Sequence, residues 1–327
     1  MIVADLINDM LFPVMIDNRC RAPSHPEGGG VYRTKNPSMA CTKLCVFSLT
    51  TFVLCLLVGC GAAKTSGAQR RQKAKEFHLR AQERTGLLVP MYVYPADIHK
   101  NHAYNRLLDL KRSYETVPLW VILNPASGPG KQVDDNYIKA IDRLVGAGCV
   151  VLGYVTTSYG KRPAADVQGD INRWLTMYPR IQGIFFDEMI YEDSDAGARY
   201  QAALNQFAHD AGCWPTVANP GADTPGRYFA AGAADVIVIH EGGSWPKEER
   251  LKGDYFGGYA DYPPSTRAIL IYSQPNIDRD ALDMMRKYAR WIYVTEAEYR
   301  QGDPKASNPW DRLSKHVDLI FSQLADK

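Results

Sequence analysis

A parallel (β/α)8 TIM barrel over residues 86–327 is the fold this sequence predicts, and three features predict it. Short, near-continuously apolar runs recur along the segment, as strands covered on both faces require. Amphipathic stretches with helical spacing lie between several of them. Gly148 and Gly212 stand just before two of the runs, where a preceding helix would end in a left-handed cap. Strand–helix alternation with right-handed crossovers gives a parallel sheet, and eight units close it. An open doubly wound sheet is the alternative.

In chain order, LLVPMYVY at 87–94 predicts the first strand and LWVIL at 119–123 the second. VDDNYIKAIDRLVG at 133–146 has helical spacing and leads into the third strand, CVVLGYV at 149–155. ADVQGDINRWLTM at 165–177 predicts the next helix, and GIFFD at 183–187 the fourth strand. AGARYQAALNQFAHDA at 196–211 predicts the helix before PTVA at 215–218. VIVIH at 236–240 and AILIY at 268–272 come next, with weaker helical pattern in the connectors after strands five and six. DRDALDMMRKYA at 278–289 precedes the last strand, WIYVT at 291–295, and WDRLSKHVDLIFSQL at 310–324 predicts the closing helix.

The barrel is expected to come after a lipoprotein signal peptide and a flexible tether. Residues 44–59, LCVFSLTTFVLCLLVG, are apolar and stand after Lys43. At ~1.5 Å per residue they reach roughly 24 Å, short of a bilayer core of about 30 Å. That length suits a signal-peptide core better than an uncleaved anchor. The run ends in Leu57-Val58-Gly59-Cys60, which looks like a lipobox, so residues 39–59 read as the signal and Cys60 as the acylated mature N-terminus. Gly61 rather than aspartate comes next, which favours an outer-membrane fate in a cell that has one. The expected location is outside the cytoplasm, lipid-anchored to a membrane facing periplasm or exterior. Residues 60–85 are polar and basic, a tether. Residues 1–38 carry Pro23, Pro26 and Gly28-Gly29-Gly30 without periodicity and read as an upstream extension or misplaced start.

The chain has 327 residues, 46% of them hydrophobic and 23% charged, as a globular protein with a sizeable core requires. Net charge is +2 with no long basic run, which argues against a nucleic-acid partner. Of the seven cysteines only Cys149 and Cys213 lie in the barrel segment, each at the start of a predicted strand, where a buried thiol packs as a small hydrophobe. A monomer is expected.

In such barrels the active site lies at the C-terminal ends of the strands. The polar and aromatic residues at the ends of the apolar runs are Tyr92, Tyr94, Asn124, Tyr154, Asn219, His240, Tyr272, Gln274 and Glu296, with Trp245 close behind strand six. These are the candidate substrate-binding residues, with Tyr94, Tyr154, Trp245 and Tyr272 as sugar platforms. The sharpest feature is GIFFDEM, where a buried strand ends in Asp187 and Glu188. Side chains alternate along a strand, so Asp187 shares the inward parity of Gly183 and Phe185, and Glu188 sits on the rim. The second is VIVIHEGG, where Glu241 ends an equally apolar run. A carboxylate ending a buried strand costs desolvation unless it is used or paired. Two carboxyl groups across one mouth are what glycoside hydrolysis needs.

Two other patterns compete. Asn124-Pro125-Ala126-Ser127-Gly128-Pro129-Gly130-Lys131 resembles a nucleotide loop of lipid kinases. Pro125 stands where the first glycine should be, however, and Gln132 replaces the hydroxyl residue. His99, His102 and His240 with Asp187 could make a metal site, as in a metal-dependent polysaccharide deacetylase, but their spacing matches no metal signature. No metal and no cofactor are expected.

LLVPMYVYP, VILNPASGPG, GIFFDEM and HEGG together resemble the spherulin-4-like family, glycoside hydrolase family 135, over about Leu87 to Lys327. The resemblance implies a (β/α)8 enzyme cutting α-1,4-linked galactosamine or N-acetylgalactosamine in an extracellular, biofilm-type polysaccharide, acting within chains. It places the family's acidic pair on Asp187 and Glu188 and its remaining acid on Glu241. Asp187 is then expected as nucleophile, Glu241 as general acid/base and Glu188 as an orienting group. A non-catalytic sugar-binding lipoprotein is the reading from a different class.

Overall fold

The structure, a computed structural model, describes residues 84–252, 261–303, 306 and 308–325. The signal peptide, Cys60, the upstream extension and nearly all of the tether lie outside the described residues.

The described chain is a closed barrel whose strands run in sequence order, with β1 pairing β8. The strands are β1 (Gly86–Pro90), β2 (Leu119–Leu123), β3 (Val150–Thr156), β4 (Gly183–Asp187), β5 (Thr216–Asn219), β6 (Val236–Gly242), β7 (Arg267–Ile271) and β8 (Trp291–Val294). Every pairing is parallel. The open-sheet alternative is thereby removed, and the expected strands stand within a few residues of their predicted bounds.

The crossover helices are α1 (His102–Ser113), α2 (Asp135–Gly146), α3 (Ala164–Met177), α4 (Asp195–Asp210), α5 (Gly226–Ala230), α6 (Glu248–Leu251), α7 (Arg279–Tyr288) and α8 (Val317–Ala325). Side-chain oxygens of Asn101, Asp134, Ser194 and Asp278 accept backbone N–H groups at the starts of α1, α2, α4 and α7. Gly148 and Gly212 stand after α2 and α4 at φ +83° and +93°, the left-handed caps the sequence predicted. Helix α1 was not among the expected helices; it buries Tyr104, Leu107, Leu108 and Leu110. The closing helix begins at Val317, so the expected helical start at Trp310 is corrected. Residues 308–316 form a loop instead, and the carbonyl of Trp310 accepts the Tyr92 N–H. That bond also accounts for the early end of β1, expected to run to residue 94.

Cys149 and Cys213 are free and buried, and burial pushes the Cys149 thiol up to about 12. Around the barrel, Trp174 of α3 lies over Gly153 and donates its indole N–H to the Tyr154 carbonyl at 2.8 Å. Inside it, Gly183 is where crowding is greatest: a Cβ there would stand 2.0 Å from the Pro215 carbonyl oxygen and 2.6 Å from Leu152 Cδ2. Gly183→Ala is expected to cost roughly 3 kcal/mol, read as a fall of roughly 5–10 °C in Tm. An unchanged Tm would show room at that position.

One irregularity bears on the site. In the β6–β7 register Val238 pairs Ala268 and His240 pairs Ile269, so Ile239 is an extra, unpaired residue. Beyond this bulge Glu241 pairs Leu270 and shares its face of the sheet.

Candidate active site

Strand β4 delivers Asp187 to the barrel mouth in register with Thr156 and Asn219. Paired residues on neighbouring parallel strands share a face, so Asp187 and Asn219 both point inward. Asp187 Oδ2 accepts the Tyr154 hydroxyl at 2.7 Å, and Oδ1 accepts Asn219 Nδ2 at 2.9 Å. The same Nδ2 donates to Glu241 Oε2 at 2.8 Å. Asn219 Oδ1 accepts the Gly221 N–H at 3.1 Å, which fixes which way the amide faces. The two hydrogens of one amide nitrogen diverge by about 120°, so the two carboxylate oxygens they bind stand about 5 Å apart. That matches the separation of roughly 5–5.5 Å at which a second carboxylate attacks the sugar directly, and falls short of the gap that leaves room for a water.

Glu241 also accepts the Trp310 indole N–H, from the loop after β8. Burial pushes Glu241 up to about 7, the nearby Asp187 charge adds to this, and the Asn219 and Trp310 bonds oppose it. Burial raises Asp187 as well, while its bonds from Tyr154, the Glu188 backbone and Asn219 pull it down. Burial thus raises both carboxyls, but three donors oppose it at Asp187 and two at Glu241, an asymmetry of the kind that two different roles need.

Glu188 turns toward the same space because β4 ends between the two acids. Its φ is +52°, a left-handed conformation uncommon outside glycine. Its carbonyl accepts the Tyr159 N–H at 2.6 Å and the Thr157 hydroxyl at 2.7 Å, and Oε2 accepts the Thr156 hydroxyl.

A cavity of about 400 Å³ opens over Asp187 and Glu241, walled by Tyr92, Tyr272, Tyr299, Asn308, Pro309 and Trp310. A deeper pocket of about 190 Å³ adjoins it, reaching Tyr159, Phe185, Glu188, Asn219 and Leu270. Of the residues expected from the sequence, Asp187, Glu188, Glu241, Tyr92, Asn219 and Tyr272 come together here. Tyr154 is 7% exposed and backs Asp187 from below, which corrects its expected part as a sugar platform.

Six expected contacts stand elsewhere. Tyr94 bonds through its hydroxyl to Asp134 at 2.9 Å and Asn136 at 2.9 Å, over α2. Asn124 caps its own loop by accepting the Gly128 N–H at 3.1 Å. His240 is turned to the outer face by the bulge; its Nε2 meets the Ser244 carbonyl at 3.1 Å, burial pushes the imidazole down, and it lines a separate cavity with Trp245. Gln274 donates to the carbonyls of Gly243 and Tyr272 at 2.7 and 3.0 Å. Glu296 accepts the Lys315 N–H at 2.9 Å and so secures the loop after β8.

His99 and His102 are exposed at the start of α1, and His240 faces away from Asp187. Among the described residues no three His, Cys, Asp or Glu side chains converge as metal ligands would. The arrangement a metal-dependent deacetylase needs is therefore not assembled from these four residues.

Sequence reasoning missed Trp310, Tyr299, Asn308, Pro309 and Tyr159. Trp310 was hidden by the helical spacing of 310–324, and Asn308 and Pro309 stand in the connector just before it. Tyr159 and Tyr299 lie beyond the strand ends, where periodicity says nothing.

The profile of Spherulation-specific family 4 matches residues 86–323. Spherulin-4 of Physarum polycephalum is 32% identical over 170 residues, 52% of this chain and 47% of its own length, so the chain spans about half of that relative. Sph3 of Aspergillus clavatus, solved in complex with GalNAc, superposes with a TM-score of 0.62 at 27% identity, over 74% of this chain and 98% of that one. The match over the whole barrel places this chain in Spherulation-specific family 4.

Proposed function

We propose that this protein is a glycoside hydrolase that cleaves α-1,4-linked galactosamine or N-acetylgalactosamine within an extracellular polysaccharide. The carboxyl pair about 5 Å apart on one Asn219 nitrogen carries this reading. The GalNAc bound by the structural relative supports the sugar class, and the aromatic cavity suits the apolar faces of sugar rings.

In this reading Asp187 attacks the anomeric carbon while Glu241 gives its proton to the departing glycosidic oxygen. The bond from carbon to that oxygen breaks, and a glycosyl ester forms on Asp187. Glu241, now ionised, takes a proton from water, and the resulting hydroxide attacks the same carbon from the opposite side. The ester bond to Asp187 breaks and the anomeric configuration is retained. Glu188 orients a substrate hydroxyl or amine from the rim. Digestion of purified amino-sugar exopolysaccharides, monitored by mass spectrometry, should release oligosaccharides of α-linked galactosamine type. Intact polymer throughout would overturn the assignment.

The protein is further proposed to reach its polymer as an exported lipoprotein, on the strength of Leu57-Val58-Gly59-Cys60 after a short apolar core. Cys60→Ser should block processing or release the protein from membranes, seen by fractionation. A processed, membrane-bound variant would refute it.

A further inference from the structure

Apart from Tyr92, the aromatic side chains around the mouth that carry exposed faces fall into two groups on opposite sides of the acid pair. Tyr159, after β3, and Tyr191, after β4, are 44% and 40% exposed and meet edge to face with ring centroids 6.1 Å apart. Tyr272, after β7, meets Tyr299 at 5.7 Å and Trp310 at 6.1 Å, and Tyr299 is 44% exposed. Strands β3 and β4 lie half a barrel from β7 and β8. A line joining the two groups therefore crosses the mouth, passing the strand ends that carry Asp187 and Glu241.

The acids are ordered along that line. Asp187 ends β4, beside the first group, and Glu241 lies on β6, toward the second. The phenols register the same order. Burial raises both Tyr159 and Tyr272; after burial, Glu188 and Asp187 act most on Tyr159, whereas Glu241 acts on Tyr272.

We propose that the two groups are chain-binding subsites of opposite polarity. Tyr159 and Tyr191 hold the non-reducing side of the bound amino-sugar chain; Tyr272, Tyr299 and Trp310 hold the reducing side. The chemistry sets the direction. The nucleophile bonds to the sugar that stays, and the acid protonates the oxygen that leaves with the reducing-side fragment. This rests on the hydrolase reading above and adds an orientation to it. Stacking on exposed phenol faces is worth roughly 0.5–1.5 kcal/mol per ring. Losing one ring should therefore change the preference between binding registers by about two- to tenfold.

The test uses a hexamer of α-1,4-linked N-acetylgalactosamine labelled at its reducing end, with cleavage products quantified by chromatography. Tyr191→Ala weakens registers that fill the non-reducing subsites, so its cut should move toward the non-reducing end. Tyr299→Ala should move the cut toward the reducing end. Circular dichroism and thermal unfolding check that both variants fold. Shifts in the same direction, or none in folded variants, would overturn the proposal while leaving hydrolysis intact. Exchanged directions would overturn the polarity. A wild-type protein that leaves every amino-sugar polymer and the hexamer whole would overturn the hydrolase reading together with it.

Discussion

Asp187→Asn is expected to reduce kcat on the order of 10⁴-fold while leaving fold and substrate binding nearly unchanged. The site tolerates the amide. Its oxygen can accept the Asn219 N–H, and its NH2 can donate to the Tyr154 hydroxyl, which rotates from donor to acceptor. The nucleophile is lost while the hydrogen bonds that hold this corner of the mouth can be kept. Single-turnover kinetics and a calorimetric titration with product oligosaccharide separate the two quantities. Binding lost together with turnover would make Asp187 a substrate contact rather than an attacking group. Full activity would remove the proposed chemistry.

Glu241→Gln should lower kcat/KM with natural polymer by roughly 10²–10⁴-fold. An aryl galactosaminide with an acidic phenol should recover part of the first, glycosylating step, since such a leaving group needs no proton. Recovery in the Asp187 variant instead would exchange the roles. The pH profile carries a second signature. With Glu241 raised from 4.5 to about 7, activity of the wild-type protein should fall as pH rises through about 7 and the acid loses its proton. The variant should lack that limb. Stability depends on the same shift. Between its ordinary value and about 7 the folded protein keeps a proton that the unfolded chain releases, so stability falls as pH rises through that window. Glu241→Gln has no such dependence. Relative to the wild type, the variant should therefore gain up to ~3 kcal/mol on going from pH 4 to pH 8. Thermal unfolding at the two pH values measures this, and a gap that stays constant would deny the raised pKa.

Much of the barrel was legible because its strands are buried on both faces and so appear as unbroken apolar runs. LWVIL and GIFFD fall on β2 and β4 with no error in bounds. Asp187 was legible for the same reason: a charge at the end of such a run marks the place where burial stops. Parity from Gly183 gave its direction because β4 is regular. Parity could not give the directions of His240 and Glu241, since the bulge at Ile239 intervenes and depends on pairing with β7 rather than on local pattern. Nor could strand ends reveal Trp310. Its hydrogen bond to Glu241 joins a loop after β8 to β6, a contact set by closure of the barrel. Asn219 was expected to touch substrate. Its amide also links the two acids, because its neighbours in space come from β4 and β6.

The extra residue in β6 behaves like a frameshift in a pattern of two. Were Ile239 instead paired with Ile269 in an unbulged ladder, His240 would take the position opposite Leu270, and Glu241 would face the surrounding helices. A barrel of this sequence thus stands one pairing step away from presenting an imidazole, rather than a second carboxyl, to Asp187. A relative one residue shorter between Val238 and His240 would pair without a bulge and still set its glutamate opposite the position of Leu270, so a gap at that point leaves the same side chain reactive.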